Sequence, residues 1–159
     1  MNKSKITNAI IKMKPADLTL STASAKFGGG FITTDGESIR KIMLRRSRNY
    51  LYDEEKFSQN HLLYDSLSWY VIARDTLNCF SYILFVNFDD VTGKLYPLVF
   101  TVEEFKALLK EFNVTQDSIN IYIQKSKGIN EFKLTRLGDK LGTPKDVSSN
   151  YLNWEKLKF

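Results

Sequence analysis

At 159 residues, with 43% hydrophobic and 13% aromatic side chains, the chain has room for one domain with a real core and is too apolar to be disordered. One cysteine excludes an internal disulfide and fits a reducing, cytoplasmic setting, while one cysteine and one histidine cannot complete a structural zinc site. A net charge of +5 permits an acidic partner such as nucleic acid without requiring one, and no segment has the length of a membrane span or a secretory signal.

Residues 3–14 place Ile6, Ile10 and Met13 on one side of a short amphipathic helix, which Pro15 closes. Asp17-Leu18-Thr19-Leu20 is expected to be a short strand with Leu18 and Leu20 inward. The following small, polar stretch ends in Gly28-Gly29-Gly30, which calls for a turn or a close backbone approach. A phosphate-cradling loop is disfavoured, because no Lys-Ser/Thr pair and no helix follow it. Phe31–Thr34 reads as a strand and Asp35-Gly36 as a hairpin turn.

The next strand, residues 37–48, puts Arg40, Ile42, Leu44 and Arg46 on one face and Lys41, Met43, Arg45 and Ser47 on the other. Residues 49–68 are expected to be a long loop with one helical turn, and His61 a surface residue within it. Trp69–Arg74 is the next predicted strand.

Phe80–Phe88 is an unbroken apolar run, which suits a strand covered on both faces. Cys79, just before it, is expected to be buried as a small hydrophobe. Asp89–Gly93 supplies a turn, and Lys94–Phe100 returns as a strand whose Pro97 requires a free or bulged edge. Thr101-Val102-Glu103-Glu104 is a capping box. Val102, Phe105, Leu108, Leu109 and Phe112 then form one helical stripe that packs on the sheet.

Ser118–Gln124 alternates cleanly, with Ile119, Ile121 and Ile123 on one face. Residues 126–142 are basic and punctuated by glycine. Residues 147–159 form a short closing helix or tail anchored by Tyr151, Leu152, Trp154 and Leu157. The fold expected is a single α/β domain with a mixed central sheet flanked by helices.

The densest positive run, Arg40, Lys41, Arg45, Arg46 and Arg48, points to a nucleic-acid contact, with Tyr50, Tyr52 and Tyr64 nearby for stacking on bases. Charge guarding an edge strand against aggregation explains the same run equally well. Lys125, Lys127, Lys133, Arg136 and Lys140 offer a second basic region that extends a backbone-binding surface.

Several pieces in order resemble the restriction-endonuclease-like, PD-(D/E)xK, nucleases. They are Ala16-Asp17-Leu18-Thr19-Leu20, Ile42-Met43-Leu44-Arg45, Trp69–Arg74, Phe80–Val86, Phe100-Thr101-Val102-Glu103-Glu104 and the closing Tyr151-Leu152-Asn153-Trp154. The resemblance implies a restriction-endonuclease-like fold, double-stranded DNA as the ligand, magnesium as the cofactor of an active member, and a plausible dimer. It also implies Asp17 as the first metal-binding carboxylate. Met43 and Arg45 occupy the places of the second acid and the lysine, so the site reads as disabled. An active alternative uses Glu37 with Asp17 as magnesium ligands and Lys41 as the lysine, against the simpler reading of Asp35 and Glu37 as turn and strand-end residues. A different class of function is a small inhibitor or accessory protein, of phage or mobile-element type, acting on a nucleoprotein machine. Salt dependence of nucleic-acid binding separates the two.

Overall fold

The computed structural model describes residues 3–23, 30–35, 38–51, 62–136 and 144–158. Helix α1 (Lys3–Met13) comes first, followed by β1 (Ser21–Thr22), β2 (Phe31–Asp35), β3 (Ser38–Arg46) and β4 (Tyr64–Ala73). Then come β5 (Tyr82–Phe88), β6 (Leu95–Thr101), helix α2 (Val102–Glu111), β7 (Ser118–Ser126), β8 (Phe132–Arg136) and β9 (Lys145–Asp146). Short 3-10 turns occupy Arg74–Cys79, Ser148–Asn150 and Trp154–Leu157.

The strands form two sheets. One runs β1-β2-β3-β5-β6 and is mixed, with β3 and β5 parallel; the other, β4-β7-β8-β9, is antiparallel. The expected α/β domain with a mixed central sheet is present. Helices, however, are only part of what flanks that sheet. One face meets α1 and the carboxy-terminal turns through Ile6, Ile10, Leu18, Ile42, Leu84, Val99, Trp154 and Leu157. The other meets the second sheet and α2 through Met43, Ile83, Phe85, Phe100, Phe105, Ile121 and Phe132. β5 therefore buries alternate residues on both sides, which is why its sequence lacks polar alternation.

Helix α2 begins as the capping box demands: Glu104 N–H donates to Thr101 Oγ1 at 3.1 Å, and Glu104 Oε1 accepts from Thr101 N–H at 3.1 Å. Pro97 sits on the edge strand β6. There its carbonyl accepts from Leu152 N–H at 3.0 Å, and Leu98 bridges Tyr151. The tail thus covers the edge that proline cannot pair. Gly30 has φ of +80°, and a Cβ there would lie 2.3 Å from the Ile42 carbonyl oxygen, so the close approach foreseen for the glycine run is real at this residue. Gly28 and Gly29 lie outside the described residues.

Four sequence expectations differ from the structure. Asp17–Leu20 forms no strand, although Leu18 and Leu20 are buried as expected; strand pairing begins only at Ser21. β4 starts at Tyr64 rather than Trp69 because Ser66 and Ser68 face inward and read as loop residues in the sequence. β8 was concealed because only Phe132 and Leu134 are buried in it, with the polar Lys133 and Thr135 between and after them. Cys79 is exposed at the end of a 3-10 turn, where Leu77 takes the buried place instead.

Candidate nucleic-acid interface

β3 divides its cations between two faces as the strand period requires. Ile42 joins the α1-side cluster and Met43 the inter-sheet cluster, so Lys41, Met43 and Arg45 look toward the second sheet and Arg40 and Arg46 away from it, while Arg48 lies beyond the strand. Arg40 Nη1 donates to the Tyr82 hydroxyl at 2.5 Å. Arg45 is half-buried and its Nη2 donates to the Val71 carbonyl of β4; burial pulls its guanidinium below the usual arginine range.

Two further residues continue what Arg45 begins. Ser47 Oγ accepts from Trp69 N–H at 3.0 Å, and Asn49 Oδ1 accepts from Leu67 N–H at 3.0 Å and from Leu51 N–H at 3.1 Å. Side chains 45, 47 and 49 therefore meet backbone groups at 71, 69 and 67 on the edge of β4, and an Asn49–Ser68 bridge completes the crossing. The chain leaving the first sheet stitches itself to the second. At this place Arg45 is a structural donor.

The same crossing delivers an aromatic run. The Arg48 guanidinium lies over the Tyr50 ring at 4.2 Å. Tyr50 and Trp69 have ring centroids 5.7 Å apart in an edge-on arrangement, and Trp69 and Tyr122 lie 6.0 Å apart. Trp69 Nε1 donates to Asn120 Oδ1 at 3.1 Å, which fixes the indole. All three rings are half-buried, and the outward positions beside them, Val71, Asn120, Gln124 and Thr135, are half-buried or exposed. Trp69 and Tyr122 were not among the expected site residues. Their signal was available: an aromatic residue at an outward position of an alternating strand, as Tyr122 is between Ile121 and Ile123, has no core to fill.

Beside Arg48, a cavity of about 350 Å³ is lined by Ile6, Arg46, Ser47, Arg48, Phe88 and Asp90. Burial, then the neighbouring Asp89, pushes the Asp90 carboxyl above the usual carboxylate range.

The remaining expected residues lie elsewhere. Asp17 is exposed and accepts from Lys158 Nζ at 2.8 Å, a bond that holds its carboxyl below the ordinary range. It lines a shallow depression with Thr33, Thr34, Leu157 and Lys158, on the layer opposite to Met43 and Arg45. Lys41 is half-buried on the Met43 side. Glu37, Tyr52, His61 and Lys140 lie outside the described residues.

Lys125 is buried, and its Nζ donates to Asp65 Oδ2 at 2.6 Å and to the Ser126 carbonyl at 3.2 Å, above the Tyr96 ring. Burial alone would raise the Asp65 carboxyl, but the hydrogen bonds from Lys125 and Gly128 N–H outweigh it and the net shift is downward. Lys127 is exposed in the turn after β7, its N–H donating to the Leu63 carbonyl at 2.9 Å. Lys133 pairs with Glu131 at 3.4 Å. Among the described residues no group of three or more His, Cys, Asp or Glu is placed to hold a metal ion, and no helix is long and apolar enough to cross a membrane.

Compared with protein-family models, with curated proteins and with solved structures, the chain gives no significant match. The site is therefore read from its own geometry.

Proposed function

We propose that this protein binds single-stranded nucleic acid on the outer face of its second sheet, without metal-dependent cleavage. One observation carries the reading: the continuous run in which Arg48 covers Tyr50, Tyr50 meets Trp69 and Trp69 meets Tyr122. Rings set side by side are the kind of surface on which unpaired bases stack, each stack contributing about 1–3 kcal/mol, with arginine beside them to attract the backbone. Cross-strand aromatic pairs also stabilise sheets, by about 0.2–1 kcal/mol. That lesser role explains Trp69 with Tyr122, but not the extension to Tyr50 and Arg48 on a segment outside the regular strands. Duplex DNA, the ligand expected from the sequence, has less support. Arg45 is bonded to a β4 carbonyl and Lys125 to Asp65, so the positive row that would track a duplex is broken.

The test uses intrinsic fluorescence. Trp154 is only 6% exposed, so quenching by a bound strand reports Trp69. Single-stranded oligonucleotides should quench it, with affinity falling steeply as salt rises, and Tyr122→Ala should weaken binding by about 1–3 kcal/mol, roughly five- to hundredfold. Retention of duplex without quenching would replace this reading with a duplex contact at β3. No retention of either form at low salt would sink it and leave a protein partner as the target.

A further inference from the structure

We infer that the cleft of about 710 Å³ between α1, the β5–β6 hairpin and the turn after β7 binds a small organic cation, an alkylammonium or guanidinium compound, with Asp89 as its counter-charge. The volume is that of a small-molecule site. The cleft shares no residue with the aromatic run, so the inference stands independently of the nucleic-acid reading. It opens where the space between the two sheets ends: Lys125 extends the inner face of β7 beyond Ile121 and Ile123, and Tyr96 belongs to the inter-sheet cluster.

Lys125 brings little charge to a ligand, because its Nζ is already bonded to Asp65 and to the Ser126 carbonyl above the Tyr96 ring. Lys94, the other cation of the lining, is exposed at the hairpin turn. Asp89 is different. It lines the cleft at 5% exposure, yet among the described residues no lysine or arginine pairs with it. Its Oδ1 accepts from Val91 N–H at 2.9 Å and Thr92 N–H at 3.3 Å, while among the same residues Oδ2 accepts no hydrogen bond. One oxygen thus holds the turn and the other is left for a partner, and a buried carboxylate is stable when its charge is met. Asp65 is the second carboxylate of the cleft, its Oδ2 taken by Lys125 and Gly128 N–H. Burial, then the charges of Asp89 and Asp65, push the Tyr96 hydroxyl above the ordinary phenol range, so both carboxylates bear on one part of the cleft. A calcium ion takes about six to eight oxygen ligands, and no three metal-binding side chains converge among the described residues. An ammonium or guanidinium needs only acceptors and gains from an aromatic wall. The rings of Tyr96 and Tyr151, with centroids 6.1 Å apart, line the cleft, and Met13 gives an apolar side for an alkyl chain.

The full chain would be titrated with putrescine, with agmatine, with neutral butanediol and with calcium chloride, following backbone amide chemical shifts. Both organic cations should shift the hairpin and β7-turn residues of the cleft saturably and bind at least about tenfold more tightly than the diol, the effect of a charge-assisted hydrogen bond. Asp89→Asn keeps the Oδ1 acceptor for Val91 and Thr92 and removes only the charge, so it should fold and bind both cations roughly ten- to hundredfold more weakly. Equal affinity of the parent for cations and diol, or no saturable shift at the cleft, overturns the inference. So does an Asp89→Asn variant that binds the cations as the parent does. Calcium that saturates the same amides more tightly than either organic cation also overturns it and makes the cleft a metal site. If the variant does not fold, the discrimination of the parent between cations and diol decides the inference alone.

Discussion

Asp65 and Lys125 illustrate how a cation readable as a ligand-binding group becomes an internal one. The Lys125 side chain is 5% exposed and that of Asp65 25%, and the pair lines a cleft of about 710 Å³ together with residues of α1 and the β5–β6 hairpin. Asp65→Asn would leave the ammonium buried without its counter-charge and should cost about 3 kcal/mol in denaturant unfolding. Replacing Lys125 by Met in the same chain should recover much of that loss, because no uncompensated charge then remains. The pH dependence follows from the lowered Asp65 pKa. A carboxylate depressed on folding stabilises fully above its unfolded value, about 4, and the contribution fades as pH falls through the lower folded value. The parent should therefore lose its advantage over Asp65→Asn only below about pH 4, as measured by unfolding at a series of pH values. An advantage that disappears near neutrality would mean another group is titrating.

Between elements, stability comes from polar side chains placed at joints as well as from apolar layers. Asn49 Oδ1 serves two backbone donors, Leu51 N–H and Leu67 N–H, where the chain crosses from the first sheet to the second. Asn49→Ala orphans both and should cost about 2–4 kcal/mol, readable as a lower denaturant midpoint. Glu104 has a comparable place at the other end. It closes the α2 capping box, and its Oε1 also accepts from Asn150 Nδ2 and Lys156 Nζ, each at 2.7 Å. Glu104→Ala should thus exceed the roughly 1 kcal/mol of an ordinary cap loss and loosen the carboxy-terminal turns first, detectable as faster amide exchange at residues 150–157. Exchange unchanged there would show that Trp154 and Leu157 hold the tail alone. The core contact of α2 is more demanding still. Phe105 is fully buried against Phe85 and Phe100, so Phe105→Asp should prevent folding.

For the whole molecule, the division into layers separates the residues of the nuclease frame first expected. Asp17 is ion-paired on the α1 side, while Met43 and Arg45 look across to the second sheet. Purified protein incubated with supercoiled plasmid and magnesium, and separately with manganese, should leave the plasmid intact. Nicking abolished by Asp17→Ala would overturn this and point to Glu37 as the second ligand; nicking that persists in the variant would indicate a contaminating enzyme. Cleavage needs a carboxylate pair to hold a metal that stabilises the attacking and leaving oxygens.

Local sequence was sufficient wherever one rule governed one segment. The apolar run of β5, the Thr101–Glu104 cap and the alternation of β7 all follow from periodicity or capping within a few residues. Even the split of β3 into two faces was legible, because a strand has period two. What no local rule contains is which partner lies across each face. Ser66 and Ser68 read as loop because their inward burial depends on the facing first sheet, from which Asn87 Nδ2 of β5 donates to Ser66 Oγ at 3.1 Å. Arg45 reads as a phosphate ligand because the Val71 carbonyl that takes its hydrogen bond is 26 residues away in sequence. The aromatic run has the same origin: Tyr50, Trp69 and Tyr122 come from separate segments, and only the pairing of β4 with β7 and the crossing at Asn49 set their rings side by side.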